Sequence, residues 1–139
     1  MKEPGSQELE IPDGRETEDS FDRMWETFPE KVLLLNRDRR VIRANRTGRD
    51  QGAEPGLRCF ELAGRDRVCP HCRAEEALAK GETIDWSGPS RGRFFCAFWI
   101  PMNRPAGWYV HFAVNISAHV RPELLACPPE ELGLEGDGV

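Results

Sequence analysis

Residues 32–45 read VLLLNRDRRVIRAN, two apolar runs on either side of a short polar segment. Val32 to Leu35 and Val41 to Asn45 each have the length and the aliphatic character of a strand. The four residues between them, 36–39, have the polar composition of a turn. The stretch therefore predicts a β-hairpin that ends at Asn45.

After the hairpin, the pattern changes first to short helical pieces and then to strands. Glycines and prolines interrupt residues 46–81, and the most helical piece begins at Cys69-Pro70 and stops at Lys80. Loops that contain Gly88-Pro89 and Arg104-Pro105 then separate three strand-like segments, at 83–87, 93–102 and 107–117. This order predicts an α+β fold, in which a five-stranded antiparallel sheet carries short helices on one face.

A short helix is predicted upstream of the hairpin. Its apolar residues recur at helical spacing, at Phe21, Met24, Trp25 and Phe28. Asp19 or Ser20 is a suitable N-cap, and the proline at position 29 ends the pattern. Such a stripe either packs on its own domain or forms a dimer or partner surface.

The net charge of −5 is unevenly distributed along the chain. Seven acidic residues against two basic ones give −5 over residues 1–19, five acidic residues give −5 over residues 122–139, and the segment between carries +5. Both ends are rich in Pro, Gly and Glu, a composition that buries too little apolar surface to offset the entropy of ordering. We therefore expect a flexible acidic tail at 1–18, one domain at 19–121 and a second acidic tail at 122–139.

Composition also indicates the cellular compartment in which the chain is expected to work. Hydrophobic residues make up 39% of the 139 positions, no apolar run is long enough to cross a bilayer, and no signal peptide is recognisable. We expect a cytoplasmic protein without membrane contact, whose cysteines are reduced unless they bind a metal or act in redox chemistry.

Three cysteines have spacing that suggests chemistry, with Cys59 followed nine residues later by Cys69-Pro-His-Cys72. In one interpretation the thiolates hold a metal ion, because the CxxC pair and Cys59 supply three ligands. Zinc then needs a fourth ligand, either Cys96 or His71. An iron–sulfur cluster requires a fourth cysteine, either Cys96 or Cys127.

Two other interpretations of these cysteines remain open. Cys69 and Cys72 form a redox dithiol if the helix dipole and the neighbouring arginines stabilise a thiolate. The segment before Val68 is not the buried strand that precedes this motif in thioredoxin-fold enzymes, which favours a thiol switch over such an enzyme. In the third interpretation the cysteines are inert and pack as small apolar side chains.

The hairpin, together with Asn115-Ile116-Ser117 at the end of the last strand, resembles a PAS domain over residues 20–118. The resemblance rests on residues 32–38 leading to 41–45 and on a closing motif in which Asn115 replaces the usual Asp. The segment Gly56-Leu-Arg-Cys-Phe-Glu-Leu followed by Cys-Pro-x-Cys is similar to a subset of PAS domains. The resemblance implies a sensory fold in which a cavity between sheet and helices binds ligands and the N-terminal helix mediates dimerisation.

Candidate residues for such a cavity are Asn45, Phe60, Trp86, Phe98, Trp99 and His111. Aromatic side chains there either line a pocket or fill the core. Cys59 lies three residues after Gly56, as in flavin-binding light-oxygen-voltage domains, but the flanking Asn and Arg-Phe-Leu-Gln of that motif are absent. We expect neither flavin nor haem.

The sequence predicts a regulatory domain and not an enzyme. It contains no phosphate loop, nucleophilic triad or paired catalytic carboxylates. The 22 residues after Ser117 are too few for an output domain, so we expect a signal passed in trans, by a homodimer or through a separate effector, with a small-molecule ligand as a further partner. A small thiol-disulfide redox protein is the alternative. Six arginines between 37 and 49 form a basic hairpin, but no nucleic-acid recognition motif accompanies them.

Overall fold

The computed structural model describes residues 14–126, in which five strands form one antiparallel sheet. The helices are α1 (Arg15–Trp25), α2 (Arg46–Asp50), α3 (Cys59–Leu62), α4 (Ala74–Lys80) and α5 (Pro122–Ala126), with a 3-10 turn at Ser117–His119. The strands are β1 (Val32–Leu35), β2 (Val41–Ala44), β3 (Ile84–Ser90), β4 (Arg93–Pro101) and β5 (Tyr109–Asn115). Their spatial order is β2-β1-β5-β4-β3, and the predicted α+β architecture is confirmed.

The sheet is covered on both faces, which explains why β1 is buried along its whole length. The inner face packs against α2, α3 and α4, with Leu33, Leu35 and Trp99 at its centre. The outer face packs against α1, where Phe21 meets Val32, Leu34 and Val110. Because side chains alternate along a strand, β1 contributes to both cores.

Helix α1 begins at Arg15, four residues before the predicted N-cap at Asp19 or Ser20. Gly14 adopts a left-handed conformation (φ 84°) directly against Trp108, where a Cβ atom would meet ring carbon Cη2 at 2.2 Å. Acidic side chains in the first turn then complement the helix dipole. Residues 15–18, assigned to the acidic tail, are therefore helical, while 1–13 and 127–139 lie outside the described residues.

Ion pairs join α1 to the arginine-rich hairpin. Arg43 contacts Asp22 and lies 3.8 Å from Glu18. Glu26 accepts from Arg49 at 2.6 Å and lies 3.8 Å from Arg46. Each exposed pair is weak because solvent screens it, but together the pairs fix how α1 lies across β2 and α2. Part of the basic hairpin is thus paired within the chain.

Two predicted boundaries were wrong. Gly88-Pro89 was predicted as a loop but lies inside β3, paired with Phe95 and Phe94, and the turn falls at Arg91-Gly92. Proline is tolerated there because β3 is an edge strand and needs no amide donor on its free side. Helix α4 begins at Ala74 and not at Cys69-Pro70.

Candidate functional site

A cavity of about 290 Å³ lies between the inner face of β4 and β5 and the segment that carries the cysteine motif. This volume is at the lower end of the range of roughly 300–1,000 Å³ typical of ligand pockets. Its apolar wall consists of Phe60, Ala63, Phe95, Trp99 and Ala113. The cavity is therefore suited to a small molecule with an apolar body.

The structure brings three of the candidate cysteines to this cavity. Cys59, the first residue of α3, lines it together with Cys69 and Cys72. Cys96 does not line it: on β4 it alternates with Ala97 and faces the other side of the sheet, where its Sγ lies 3.1 Å from the Ser87 hydroxyl. Cys127 lies outside the described residues.

The four cysteines of the described residues and His71 are not placed to form a metal site. Within residues 14–126, no group of three or more His, Cys, Asp or Glu side chains is placed to hold an ion. Cys59, Cys69, Cys72 and Cys96 are free thiols. His71 lines the cavity, but its ring stacks on Trp86, with centroids 4.9 Å apart and planes 11° from parallel. The zinc and iron–sulfur interpretations find no support in this geometry.

The local backbone also bears on the thiol-switch interpretation. Cys69 and Cys72 lie in a turn, closed by the Cys72 amide donating to the Cys69 carbonyl at 3.1 Å, and α4 begins two residues later. The predicted helix start at Cys69 is absent, so the helix dipole gives Cys69 little stabilisation as a thiolate. Burial raises the pKa of the Cys59 thiol to about 12, which keeps it protonated.

His111 is a neutral, hydrogen-bonding member of the cavity wall. Burial lowers its pKa to about 4, so its imidazole is uncharged at neutral pH. Nδ1 lies 2.8 Å from the Phe98 carbonyl, which only accepts, so Nδ1 carries the hydrogen and Nε2 is an acceptor. The ring stacks on Trp99, with centroids 4.8 Å apart.

Arg39 is one of the cavity residues that the sequence does not predict, because it was counted among the solvated arginines of the hairpin. Its side chain is only 14% exposed, and its guanidinium lies 3.6 Å from the Glu75 carboxylate. Burial alone lowers the pKa of Arg39, but its hydrogen bond with Cys72 and the nearby Tyr109 and Glu75 raise it overall. The Nε atom is buried and has no hydrogen-bond partner.

Of the six predicted pocket residues, Phe60, Trp99 and His111 line the cavity. Phe98 lies on the outer face, 5.3 Å from the Phe112 ring centroid. The Trp86 ring covers Gly88, where a Cβ atom would meet its Cζ2 at 2.6 Å.

Asn45, the remaining predicted pocket residue, is fully buried and joins three elements instead. Its Oδ1 accepts from the Val32 and Gly48 amides at 2.9 and 3.0 Å. Its Nδ2 lies within 3.2 Å of the Trp25, Phe28 and Glu30 carbonyls. Asn45 therefore positions α1, β1 and α2 and does not contact the cavity.

Comparison with known proteins agrees with this architecture. No family model and no curated protein matches the chain. The solved structure of an RNA-binding light-oxygen-voltage receptor is similar to this chain, with a TM-score of 0.53 and 16% identity. The match covers 88% of this chain and 39% of the receptor chain. The chain has a PAS fold.

Two further solved structures are similar to this chain. A domain of an HTR-like protein from Haloarcula marismortui matches at 17% identity and a TM-score of 0.49, over 63% of this chain and 98% of its own. A sensory box sensor histidine kinase from Vibrio cholerae matches at 10% identity and a TM-score of 0.49. The match covers 80% of this chain and 94% of the kinase chain. The match to the light-oxygen-voltage receptor confirms the PAS domain predicted from the sequence, while membership of the cysteine-motif subset stays a prediction.

Phe112 connects the PAS cavity with the opposite face of the sheet. On β5 it alternates with His111 and Ala113, which line the cavity, so its ring is on the outer face. The ring centroid lies 5.2 Å from that of Trp25 and 5.4 Å from that of Phe28. Phe21 is 3% exposed, so three of the four stripe residues pack on the chain's own sheet. Met24 alone projects outward, with 71% of its surface exposed.

No helix among residues 14–126 combines the length and the apolar character needed to cross a membrane. The expectations about flavin and haem stay predictions.

Proposed function

We propose that this PAS-fold chain is a sensory and signal-transduction domain, in which a small molecule in the cavity changes the packing of α1 and α1 passes the signal in trans. Phe112 carries the proposal, because it lies on β5 between two residues that line the cavity, His111 and Ala113. Its own ring packs on the outer face of the sheet, against Trp25 and Phe28. An occupant that shifts the β5 backbone at this point also moves the Phe112 ring, and this changes the support beneath Trp25 and Phe28.

The attachments of α1 make it a suitable output element. Its C-terminal end is held by hydrogen bonds from Asn45, and its acidic side by ion pairs to Arg43 and Arg49. Exposed ion pairs are individually weak, so α1 can shift without unfolding of the sheet. A change at Phe112 is therefore expressed mainly as a movement or a change in stability of α1.

The outer surface of α1 is the proposed contact for a partner, either a second copy of the chain or a separate effector. Met24 is the large apolar residue of the stripe that stays exposed. Met24→Glu is expected to weaken self-association in light scattering if the partner is a second copy. Thr27→Glu, also on an exposed position, is the matched control. A monomer at high concentration, unchanged by Met24→Glu, contradicts the homodimer and leaves the separate effector.

We propose a binding module and not an enzyme. The alternative, a thiol-disulfide redox protein, is not favoured by a turn that places Cys69 ahead of α4 and not at its first residue. Turnover of an insulin disulfide by the reduced chain would revive that alternative. Free thiols at all four described cysteines are in keeping with a reducing compartment such as the cytoplasm.

The test of cavity binding is a two-dimensional amide spectrum recorded during titration with phenylacetate and with its neutral analogue 2-phenylacetamide. The proposal predicts that at least one of them shifts resonances of the cavity wall, including Ala63 and Ala113, and also those of α1. Absence of any shift with both probes at millimolar concentration contradicts it.

A further inference from the structure

We infer that the natural occupant of the cavity is a small organic anion, a carboxylate on an apolar body, and that the guanidinium of Arg39 recognises it. The inference rests on the proposed sensory function and names the class of its ligand. Its first support is Arg39, which lines the cavity and whose buried Nε atom has no hydrogen-bond partner. A buried donor without an acceptor is costly, so a missing acceptor is expected beside it.

The existing contacts of Arg39 leave it available for a ligand. Glu75 lies 3.6 Å away and is 82% exposed, so solvent screens this pair. The thiol of Cys72 is a weak acceptor and does not neutralise the guanidinium. Arg presents donors in a planar fork that matches the two oxygens of a carboxylate. Within this group, Nε–H is a donor that lacks a partner.

The backbone at Arg39 gives an independent indication. Arg39 has φ 65°, in the left-handed region that favours Gly, Asn or Asp. An arginine at this position of the hairpin turn is more strained than glycine would be. The sequence nevertheless carries the residue whose side chain reaches the cavity. A strained backbone at a residue that reaches a cavity points to a role in binding.

The other polar groups of the wall favour a negative rather than a positive ligand. The Lys31 ammonium is a second cation at the cavity, close enough to His111 and Cys59 to influence both. Glu30 supplies the single carboxylate among the described lining residues. His111 is neutral, so it adds no charge to this balance.

The rest of the wall defines the body of the ligand. Phe60, Phe95 and Trp99 present aromatic surfaces, and the two alanines at 63 and 113 leave the space between them. A cavity of about 290 Å³ accepts a molecule with one ring or a short alkyl chain. Phenylacetate has both required parts, an apolar ring and a carboxylate. The analogue 2-phenylacetamide has the same ring and nearly the same size, but its neutral amide replaces one acceptor oxygen with an NH2 donor.

The test compares the affinities of these two probes for the full chain, measured by the change in amide resonances. We expect the carboxylate to bind at least about tenfold more tightly than the amide, as charge-assisted hydrogen bonds to a desolvated guanidinium are the stronger kind. Arg39→Gly is expected to remove this preference. Glycine suits φ 65°, so the variant should fold. Arg37→Ala, in the same turn but exposed, is the matched control and should keep the preference.

The outcomes distinguish the anionic ligand and the role of Arg39 from the sensory cavity itself. Equal affinity for acid and amide overturns the anionic ligand and leaves the sensory cavity standing. A carboxylate preference that persists in Arg39→Gly overturns the role of Arg39. Failure of both probes to bind overturns the cavity proposal itself. If Arg39→Gly does not fold, the acid-to-amide ratio of the unmodified chain still decides the ligand class.

Discussion

The side-chain amide of Asn45 donates to the main-chain carbonyl of Trp25 at 3.1 Å, so the end of β2 holds the last residue of α1. The same side chain bonds to the amides of Val32 and Gly48 and to the carbonyls of Phe28 and Glu30. One buried amide thus fixes the connection between the outer helix and the first strand. Its geometry explains why an asparagine closes the hairpin.

Replacing Asn45 with Ala should lower the free energy of unfolding by about 3–5 kcal/mol, because buried donors and acceptors lose their partners at a cost of about 1–3 kcal/mol each. Urea unfolding followed by circular dichroism measures this. Asn36 is the matched control, since its Oδ1 also accepts two amides but in an exposed turn. Asn36→Ala should cost about 1 kcal/mol. Similar losses for the two variants contradict the role given to Asn45.

The apolar stripe of α1 contains both a core residue, Phe21, and a surface residue three positions later, Met24. Phe21→Ala should destabilise the fold by about 3–5 kcal/mol, because it leaves a cavity between α1 and the outer face. Met24→Ala should change stability by no more than about 0.5 kcal/mol, since the side chain is largely exposed. Thermal unfolding distinguishes the two. A harmless Phe21→Ala shows that α1 does not pack as described.

The lowered pKa of His111 makes stability depend on pH. Its value of about 4 in the folded state lies below the unfolded value of about 6.5, so the unfolded state binds the proton first as pH falls. The contribution of His111 is present above about pH 6.5 and is lost towards pH 4, by about 3 kcal/mol.

His111→Gln removes this proton and should flatten the difference in unfolding free energy between pH 7 and pH 4.5. Carboxylates also titrate in this range, so the comparison with the unmodified chain isolates the histidine. Identical pH profiles for the two proteins argue against a neutral, buried imidazole.

The raised pKa of Cys59 predicts low reactivity. Iodoacetamide attacks thiolates, and a thiol with a pKa of about 12 supplies very few of them at pH 8. Peptide mapping after a short exposure should show Cys59 alkylated at least tenfold more slowly than in urea-unfolded protein, where its pKa returns to about 8.5. Equal labelling in both states contradicts the burial of this thiol.

Much of the fold can be predicted from the sequence, because these elements depend on local patterns of residues. The hairpin at 32–45 and the apolar strands β4 and β5 follow from hydrophobic runs and turn residues. The pocket aromatics Phe60 and Trp99 follow from the PAS resemblance. These features need no knowledge of which elements become neighbours.

The features that could not be predicted from the sequence depend on which residues become neighbours in the folded chain. Gly88-Pro89 has turn composition, yet an edge strand tolerates the proline and the Trp86 ring covers the glycine. Arg39 has the same sequence context as the exposed arginines around it, and only the left-handed turn directs it to the cavity. The cysteines have metal-like spacing, but the cavity that they line brings them together without forming an ion site among the described residues.

An occupant of the cavity is expected to shift β5 at Phe112 and so to change the packing of α1. Ala113→Leu provides an occupant independent of any ligand, because Ala113 lines the cavity and leucine extends into it. Ala79→Leu, on an exposed position of α4, is the matched control.

Amide hydrogen exchange of residues 15–25 in these two variants is the most direct measurement. The account predicts that Ala113→Leu changes exchange in α1 several-fold while Ala79→Leu leaves it unaltered. Changes confined to the cavity wall in Ala113→Leu, with α1 exchange as in the unmodified chain, would contradict it.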